Sequence, residues 1–206
     1  MSEFRVSVSN SVSKLGKFIG SFNLPAGVTC NPDAPCFKGC YAMKGRFQFS
    51  AVKNCYEQNL MAYRSDPKRF WQTLIVESGM YKYFRWFSSG DIVDADFLKG
   101  MVLVAKRNPD TKYLAFTKQF GIANEYLEHH RLQKNLTIVF STWGNWIPDN
   151  PHNLPMSWVE FKKDEAANKY IPNNCKECSG YCGACANTKC SCWNLKKGEN
   201  VRFHEH

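Results

Sequence analysis

The sequence predicts an α/β fold in which helices alternate with the strands of a parallel sheet, forming an open, partial (βα) barrel. Strand-length apolar stretches alternate along the chain with stretches of helical periodicity. This alternation favours a parallel sheet with helical crossovers. About five predicted strands are too few for a closed eight-stranded barrel, so we expect an open one. In such folds the functional site lies at the carboxyl ends of the strands.

The amino-terminal part is predicted to contain one strand followed by two helices. Apolar residues alternate over residues 17–24, and the Pro-Ala-Gly sequence over residues 25–27 ends this strand. Residues 47–63 and 67–82 carry apolar residues at helical spacing. We therefore expect two helices, divided at Asp66 and Pro67.

The remaining elements of the predicted sheet follow residue 82. The aromatic stretch of residues 83–87 predicts a strand that ends in the tight loop Ser88-Ser89-Gly90-Asp91. Asp94 is expected to cap a helix that ends before Asn108, because Asn108 precedes a proline. Further strands are predicted over residues 113–117, 136–141 and 157–161, and a further helix over residues 122–133.

Composition indicates a folded chain outside the membrane. Hydrophobic residues make up 44% of the 206 residues, which is enough for one sizeable core. The longest apolar runs are far shorter than the ~20 residues that cross a bilayer, and residues 1–17 lack a secretory signal's apolar stretch. We therefore expect a cytoplasmic protein without a membrane partner. The formal net charge of +9 favours an ordinary basic surface, with a nucleic acid or nucleotide as the alternative partner.

Ten cysteines fall into two groups, four within the first 55 residues and six after residue 174. Cytoplasmic thiols stay reduced and are available to metal. Cys30, Cys36 and Cys40 lie within eleven residues, and three thiolates on one loop leave one iron of a four-iron cluster open to substrate. A structural zinc site or thiols without metal are the alternatives, and Cys55 is a candidate fourth ligand.

The second cysteine group is the strongest single signal in the sequence. Two Cys-x2-Cys pairs begin seven residues apart, a pattern typical of metal-binding modules. Six thiols suit either a second iron–sulfur cluster or one tetrahedral zinc ion. We therefore divide the chain into a partial-barrel domain, residues 1–165, and a cysteine-rich metal-binding extension, residues 166–206. The predicted ligands of the extension are Cys175, Cys178, Cys182, Cys185, Cys190 and Cys192.

Three segments resemble the phage-associated gene product 88 family. They are Ser13-Lys14-Leu15-Gly16, then Asn23-Leu24-Pro25-Ala26-Gly27 with Thr29-Cys30, and then Cys36-x3-Cys40-Tyr41-Ala42. More distantly, the order of a Cys-Tyr-Ala loop, a strand ending in Ser-Gly-Asp and a strand ending in Phe-Thr-Lys is similar to the Gp37/Gp68-type phage proteins. Those proteins look like radical SAM enzymes.

The resemblance implies a truncated, open partial barrel of the radical SAM type, with a four-iron cluster on Cys30, Cys36 and Cys40. It also implies that S-adenosylmethionine (SAM) chelates the open iron. The Ser-Gly-Asp tripeptide occupies the place of a glycine-rich acidic motif that meets the amino group of SAM. The residues expected to act in catalysis are Asp91 and Lys118. Those expected to receive SAM or line its pocket are Ser89, Gly90, Asp91, Thr117, Ser141 and Trp143.

The cysteine spacing departs from the common radical SAM pattern, since it has five and three intervening residues instead of three and two. With that departure, we predict a phage-type iron–sulfur protein of an infected or prophage-carrying cell. It is expected to be a radical-SAM-like enzyme that needs an electron donor, with a nucleic acid or nucleotide as the candidate substrate class. The alternatives are a non-catalytic zinc or iron–sulfur protein that binds nucleic acid or a host partner, and an electron carrier.

Overall fold

Over residues 4–10, 15–16, 18–189 and 191–205, the computed structural model shows a mixed α/β fold built on one eight-stranded sheet. Along the sheet the strand order is β1-β2-β3-β4-β5-β6-β8-β7. Within this described part, β1 runs antiparallel to β2 and all other neighbours are parallel. The strands are β1 (Val8–Ser9), β2 (Ile19–Phe22), β3 (Tyr83–Trp86), β4 (Lys112–Thr117), β5 (Leu136–Ser141), β6 (Met156–Glu160), β7 (Lys176–Glu177) and β8 (Asn200–His204).

Four longer helices connect the first strands, and two single turns of helix occur near the carboxyl terminus. The helices are α1 (Ser50–Ser65), α2 (Pro67–Gly79), α3 (Ala95–Arg107), α4 (Phe120–His129), α5 (Glu165–Asn168) and α6 (Cys182–Cys185). Short 3₁₀ turns occupy Phe37–Gly39, Tyr41–Met43, Gly45–Gln48 and Cys192–Asn194. No helix in the described part of the chain is long and apolar enough to cross a membrane.

Aspartates begin two of these helices. The Asp66 carboxylate accepts a hydrogen bond of 3.0 Å from the backbone N–H of Arg69, and Pro67 occupies the first turn, where no N–H is needed. Asp94 caps α3 in the same way, accepting from the N–H of Phe97 over 2.7 Å. Both boundaries are therefore set by local sequence.

One face of the sheet packs against helices α1 to α4. Successive strand residues point to opposite faces, so the row formed by Phe22, Trp86, Ala115 and Ile138 lies on a single face. These residues belong to the main hydrophobic core, and Phe97 of α3 packs its ring against Phe22 and Trp86. Many of the aromatic residues of the sequence are buried in this layer.

The opposite face is covered by the carboxyl-terminal segment. Tyr83, Leu114 and Val139 form a second core together with Trp193 and Leu195. The Trp193 indole N–H donates to the backbone carbonyl of the adjacent strand β3 over 3.2 Å. The cysteine-rich segment is thus docked on the sheet, and β8 pairs with β6 in the same sheet.

The predicted α/β class with a mostly parallel, open sheet is confirmed. The helix predicted over residues 122–133 corresponds to α4, which begins at Phe120 and ends at His129. The backbone is extended at the next residue, so the helix stops earlier than predicted. Strands β1, β7 and β8 were not predicted. Two of them have only two residues, and β8 lies in the segment interpreted as a metal-binding extension.

Candidate metal and cofactor site

The first three cysteines lie on the loop between β2 and α1, beyond the carboxyl end of β2. Cys30, Cys36 and Cys40 are all partly buried. Burial, and then the nearby charges of Asp91, Cys40 and Cys36, raise the pKa of the Cys30 thiol to about 11. Five residues separate Cys30 from Cys36 in the chain and nine separate it from Cys40, and all three thiols lie on this one loop.

Three thiolates on one loop repel one another, which disfavours the ionised form of all three. A bound metal cation offsets this repulsion, so the thiols release their protons when the metal binds. As they stand, no three or more His, Cys, Asp or Glu side chains among the described residues are arranged to hold a metal ion. A four-iron cluster is bound at separate corners, so its thiolates lie further apart than the ligands of a single ion. The donor set on this loop fits such a cluster by its chemistry.

The Ser-Gly-Asp tripeptide follows β3 and contacts the start of the cysteine loop. The Ser89 hydroxyl donates to the Leu24 carbonyl over 2.9 Å. Gly90 has φ +79°, and a Cβ at this position would lie 2.7 Å from the Leu24 carbonyl oxygen and 2.8 Å from the Thr29 hydroxyl. Only glycine fits this approach. Ser89 and Gly90 therefore hold the loop against the strand end.

The carboxylate of Asp91 is buried, with 5% of the residue exposed. Its Oδ1 accepts from the Thr117 hydroxyl over 2.6 Å and from the Ile92 N–H over 2.8 Å, and its Oδ2 accepts from the Lys118 N–H over 2.8 Å. Burial raises the pKa of Asp91 to about 6, against the opposing effect of these hydrogen bonds. A carboxylate oxygen accepts about two hydrogen bonds, so Oδ2 keeps acceptor capacity beyond these contacts.

The Lys118 side chain extends from the end of β4 to the end of β5. Its Nζ donates to the Ser141 hydroxyl over 2.7 Å and lies 6.0 Å from the centre of the Trp143 ring. Burial raises the pKa of the Cys36 thiol, and the positive charge of Lys118 opposes that shift. Lys118 therefore connects the predicted pocket residues with the cysteine loop.

Two further side chains, which sequence reasoning missed, tie the cysteine loop to the connection after β4. The Asn31 amide donates to the Lys118 carbonyl over 3.1 Å, and the Gln119 amide donates to the Thr29 carbonyl over 3.1 Å. Asn23 was missed as well, and its Oδ1 accepts from the N–H groups of Ser88 and Ser89. Asn23 lies in a segment that resembles the family, which marks the residue without indicating its contacts.

Hydrogen bonds thus join Asp91, Thr117, Lys118 and Ser141 at the carboxyl ends of the strands. Thr117 is buried and donates to Asp91, so its hydroxyl is directed into the protein. Cys55 lies in α1, where its charge acts on Tyr56. Cys190, Ser13 and Lys14 lie outside the described residues.

The second cysteine group is divided in space. Cys178 and Cys182 pack against the second core, in which Cys192 is buried. Burial, together with the charges of Cys178, Cys182 and Cys185 and against that of Arg85, raises the pKa of Cys192 to about 12. Cys178, Cys182 and Cys192 therefore share the second core.

Cys175 has different surroundings. It lines a cavity of about 230 Å³ together with Glu177 and Arg202. Burial raises the pKa of the Cys175 thiol, the charge of Arg202 opposes that shift, and the charge of Glu177 adds to it. The six predicted ligands of the extension are thus not equivalent.

Comparison with known proteins identifies a family for this chain. No curated protein and no solved structure matches the chain. The model of the family described as gene product 88 matches residues 5–198, which include the cysteine loop, the Ser-Gly-Asp tripeptide and the second cysteine group. The match covers most of the chain and agrees with the resemblance of the amino-terminal motifs. This chain therefore belongs to the phage gene product 88 family.

Proposed function

We propose that this protein is an iron–sulfur enzyme with radical-SAM-like chemistry, whose open sheet corresponds to a truncated partial barrel of the radical SAM type. The observation that carries the proposal is that hydrogen bonds tie the loop of Cys30, Cys36 and Cys40 to Asp91 and to the backbone of Lys118, at the carboxyl ends of parallel strands. This is the edge at which α/β folds place their functional sites. Three thiolates, one buried carboxylate and one ammonium are a donor set suited to a metal centre and a zwitterionic ligand.

In this proposal Cys30, Cys36 and Cys40 hold a four-iron cluster that leaves one iron open. A reduced cluster of this kind supplies the electron for cleavage of SAM. Ser89 and Gly90 fasten the cysteine loop to the strand ends and would hold the centre in place there. The proposal includes an external electron donor, because reductive cleavage of SAM consumes an electron that the cluster must regain.

Asp91 and Lys118 are assigned to the two charged groups of the methionine portion of SAM. The remaining acceptor capacity of Asp91 Oδ2 suits the ammonium group, and the Lys118 ammonium suits the carboxylate. Ser141 fixes Lys118, and the Trp143 ring forms a wall beside it. The Asp91 carboxylate would thus pair with the ammonium group of SAM, and the Lys118 ammonium with its carboxylate.

The substrate class that we propose is a nucleic acid or nucleotide, because the net charge of +9 attracts phosphate groups. The proposed setting is the cytoplasm of a phage-infected or prophage-carrying cell. A non-catalytic zinc or iron–sulfur protein and an electron carrier share the same cysteine ligands. They differ from the proposal in that neither consumes SAM.

The test is anaerobic purification of the full chain, followed by measurement of iron, sulfide and zinc and by electron paramagnetic resonance of the reduced protein. We expect iron and sulfide, a spectrum altered by SAM, and release of 5′-deoxyadenosine. Cys36→Ser is expected to abolish the effect of SAM, and Cys55→Ser in α1 is the matched control. Zinc without iron after anaerobic reconstitution would overturn the proposal, and a reducible cluster indifferent to SAM would indicate an electron carrier.

A further inference from the structure

The turns that follow the first three cysteines carry exposed aromatic and apolar side chains. Tyr41 and Phe49 are 65% and 62% exposed, and Met43 is 46% exposed. The Lys44 N–H donates to the Tyr41 carbonyl over 3.1 Å. The Phe49 N–H donates to the Arg46 carbonyl over 3.2 Å. These exposed side chains therefore belong to a compact, hydrogen-bonded part of the chain.

Two contacts hold the ring of Tyr41 in place. Its hydroxyl donates to the Ser88 carbonyl over 2.7 Å, which fastens it to the loop after β3. The centre of the Phe47 ring lies 5.7 Å from that of Tyr41, and the two ring planes meet at 71°. A ring that is exposed and already oriented loses little side-chain entropy when a flat group stacks on it.

The same stretch of chain is basic. No aspartate or glutamate lies between Asp33 and Glu57. Four exposed cations lie in this interval, and none of them forms an ion pair within the part of the chain that the structure describes. These cations are Lys38, Lys44, Arg46 and Lys53.

Cations and exposed rings alternate along this stretch. Lys38 precedes Tyr41, two cations separate Tyr41 from Phe49, and Lys53 follows Phe49 after one helical turn. A single strand of nucleic acid presents a phosphate and an unpaired base in each nucleotide, which match a cation and a ring. In a duplex the base faces are covered by stacking on their neighbours. An acidic protein offers negative charge without a series of flat groups. The pattern therefore favours a single strand.

We propose that residues 38–53 form a basic aromatic surface that binds single-stranded nucleic acid. Tyr41 and Phe49 stack on bases, and the four cations pair with phosphates. Tyr41 directly follows Cys40, so a bound strand would lie beside the centre proposed on the cysteine loop. That this strand is the substrate rests on the proposed function, whereas its binding does not.

The probe is a fluorescently labelled single-stranded DNA of about 12 nucleotides, titrated with the full chain purified without oxygen. Fluorescence anisotropy reports binding, and an RNA of the same sequence distinguishes the two kinds of strand. We expect a duplex of that sequence to bind more weakly. The logarithm of the binding constant should fall with the logarithm of salt concentration with a slope of about −3, since four phosphates contribute roughly 0.7 each.

Three results of this titration would overturn the proposal. The first is absence of binding to both the DNA and the RNA strand. The second is a duplex that binds as tightly as the single strand, which would show that no base is stacked. The third is competition by polyglutamate as effective as that by unlabelled oligonucleotide at equal charge, which would indicate a docking surface for an acidic protein.

Stacking is tested at Phe49. Phe49→Leu removes the ring and keeps an apolar side chain, so we expect affinity to fall about tenfold with an unchanged salt slope. Phe49→Tyr keeps a ring and should bind like wild type. Phe18→Leu is the matched control, because Phe18 is 81% exposed but precedes the amino end of β2, at the opposite edge of the sheet. Equal affinities of Phe49→Leu and wild type would overturn the stacking role.

Phosphate pairing is tested at Lys53. Lys53→Gln is expected to weaken binding of every sequence alike and to reduce the salt slope by about 0.7. Lys106→Gln is the matched control, because Lys106 is exposed in the last turn of α3, which leads to the amino end of β4. A slope that changes as much in Lys106→Gln as in Lys53→Gln would show that only the overall charge attracts the strand.

Ultraviolet cross-linking of the wild-type chain covers the case in which a variant fails to fold. Peptide mass spectrometry is expected to locate the attached nucleotides on Tyr41 and Phe49, and attachment only outside residues 38–53 would contradict the proposal. None of these measurements uses SAM. Binding of the strand by a chain that does not cleave SAM would leave the surface and remove the proposed function, and SAM cleavage without binding would do the reverse.

Discussion

Thr117 and Asp91 are joined by a hydrogen bond of 2.6 Å between two buried side chains, the Thr117 hydroxyl donating to Asp91 Oδ1. The bond links the loop after β3 to the end of β4. Through its own N–H, Asp91 also donates to the Thr29 hydroxyl over 3.0 Å, next to the first cysteine. Asp91, whose carboxylate is proposed to receive SAM, thus connects the loop after β3 to the end of β4 through its side chain and to the cysteine loop through its backbone.

Removal of this hydrogen bond is expected to weaken the fold. Thr117→Val keeps the shape of the side chain but removes this donor and also the acceptor of the Gln119 N–H, so we expect a loss of about 1–3 kcal/mol in the free energy of unfolding. Thr117→Ser keeps the donor and should lose less. Urea unfolding of the metal-free chain measures both. A Thr117→Val variant as stable as Thr117→Ser would show that the bond contributes little.

Gly90 is predicted to tolerate no side chain. Alanine at this position must adopt a positive φ and also meets the Leu24 carbonyl at 2.7 Å, which is closer than a Cβ normally approaches. We expect Gly90→Ala to cost more than the roughly 1–3 kcal/mol of backbone strain alone. Gly45→Ala is the matched control, because Gly45 also has a positive φ but nothing lies within 4 Å of the added Cβ. Equal losses of stability would show that the close approach relaxes without cost.

The fold class could be predicted because periodicity and capping are local properties of the sequence. Asp94 caps α3 as expected, and the predicted strand at residues 136–141 is β5. The strand β8 escaped prediction because its neighbours in the sheet, β6 and β7, are supplied by other parts of the chain. Pairing across such distances leaves no local signal.

The candidate site was predictable in its cysteines but not in its supporting contacts. The spacing of Cys30, Cys36 and Cys40 is visible in the sequence, whereas the hydrogen bonds of Asn31 and Gln119 that tie their loop to the connection after β4 are not. Similarly, nothing in the sequence distinguishes Cys175 from the other carboxyl-terminal cysteines. Their separation follows from the docking of the segment on the sheet.

The carboxyl-terminal segment is expected to lose stability in acid through Glu199. Burial alone would raise the pKa of Glu199, but hydrogen bonds from the Lys176 ammonium and the Lys196 N–H outweigh it and lower the pKa. A carboxyl group with a lowered pKa stabilises the folded state above its ordinary pKa, and this contribution is lost as the pH falls through the folded-state value.

We therefore expect Glu199→Gln to be less stable than wild type near neutral pH and to approach it as the pH falls below about 4. The measurement is the midpoint of urea unfolding as a function of pH. Glu57→Gln, on the exposed side of α1, is the control and should follow the wild-type curve. A constant difference between Glu199→Gln and wild type at all pH values would contradict the ion-pair explanation.

Lys118 offers the most selective test of the proposed ligand pocket. Its ammonium contacts Ser141 and the Trp143 ring, so its removal breaks one hydrogen bond of a partly exposed group. We expect Lys118→Met to change the free energy of unfolding by no more than about 1 kcal/mol. The loss of a charge-assisted contact to the SAM carboxylate should instead weaken SAM binding by tenfold or more, since such contacts contribute about 1.5–3 kcal/mol.

The two effects are separated by calorimetric titration of SAM into the anaerobic protein and by urea unfolding of the same preparation. Lys118→Arg retains the positive charge and is expected to recover part of the affinity, because a guanidinium also pairs with a carboxylate. Unchanged SAM affinity in Lys118→Met would remove Lys118 from the pocket. Parallel loss of iron in that variant would assign the lysine to the cysteine loop, whose Cys36 thiol it favours in the ionised form.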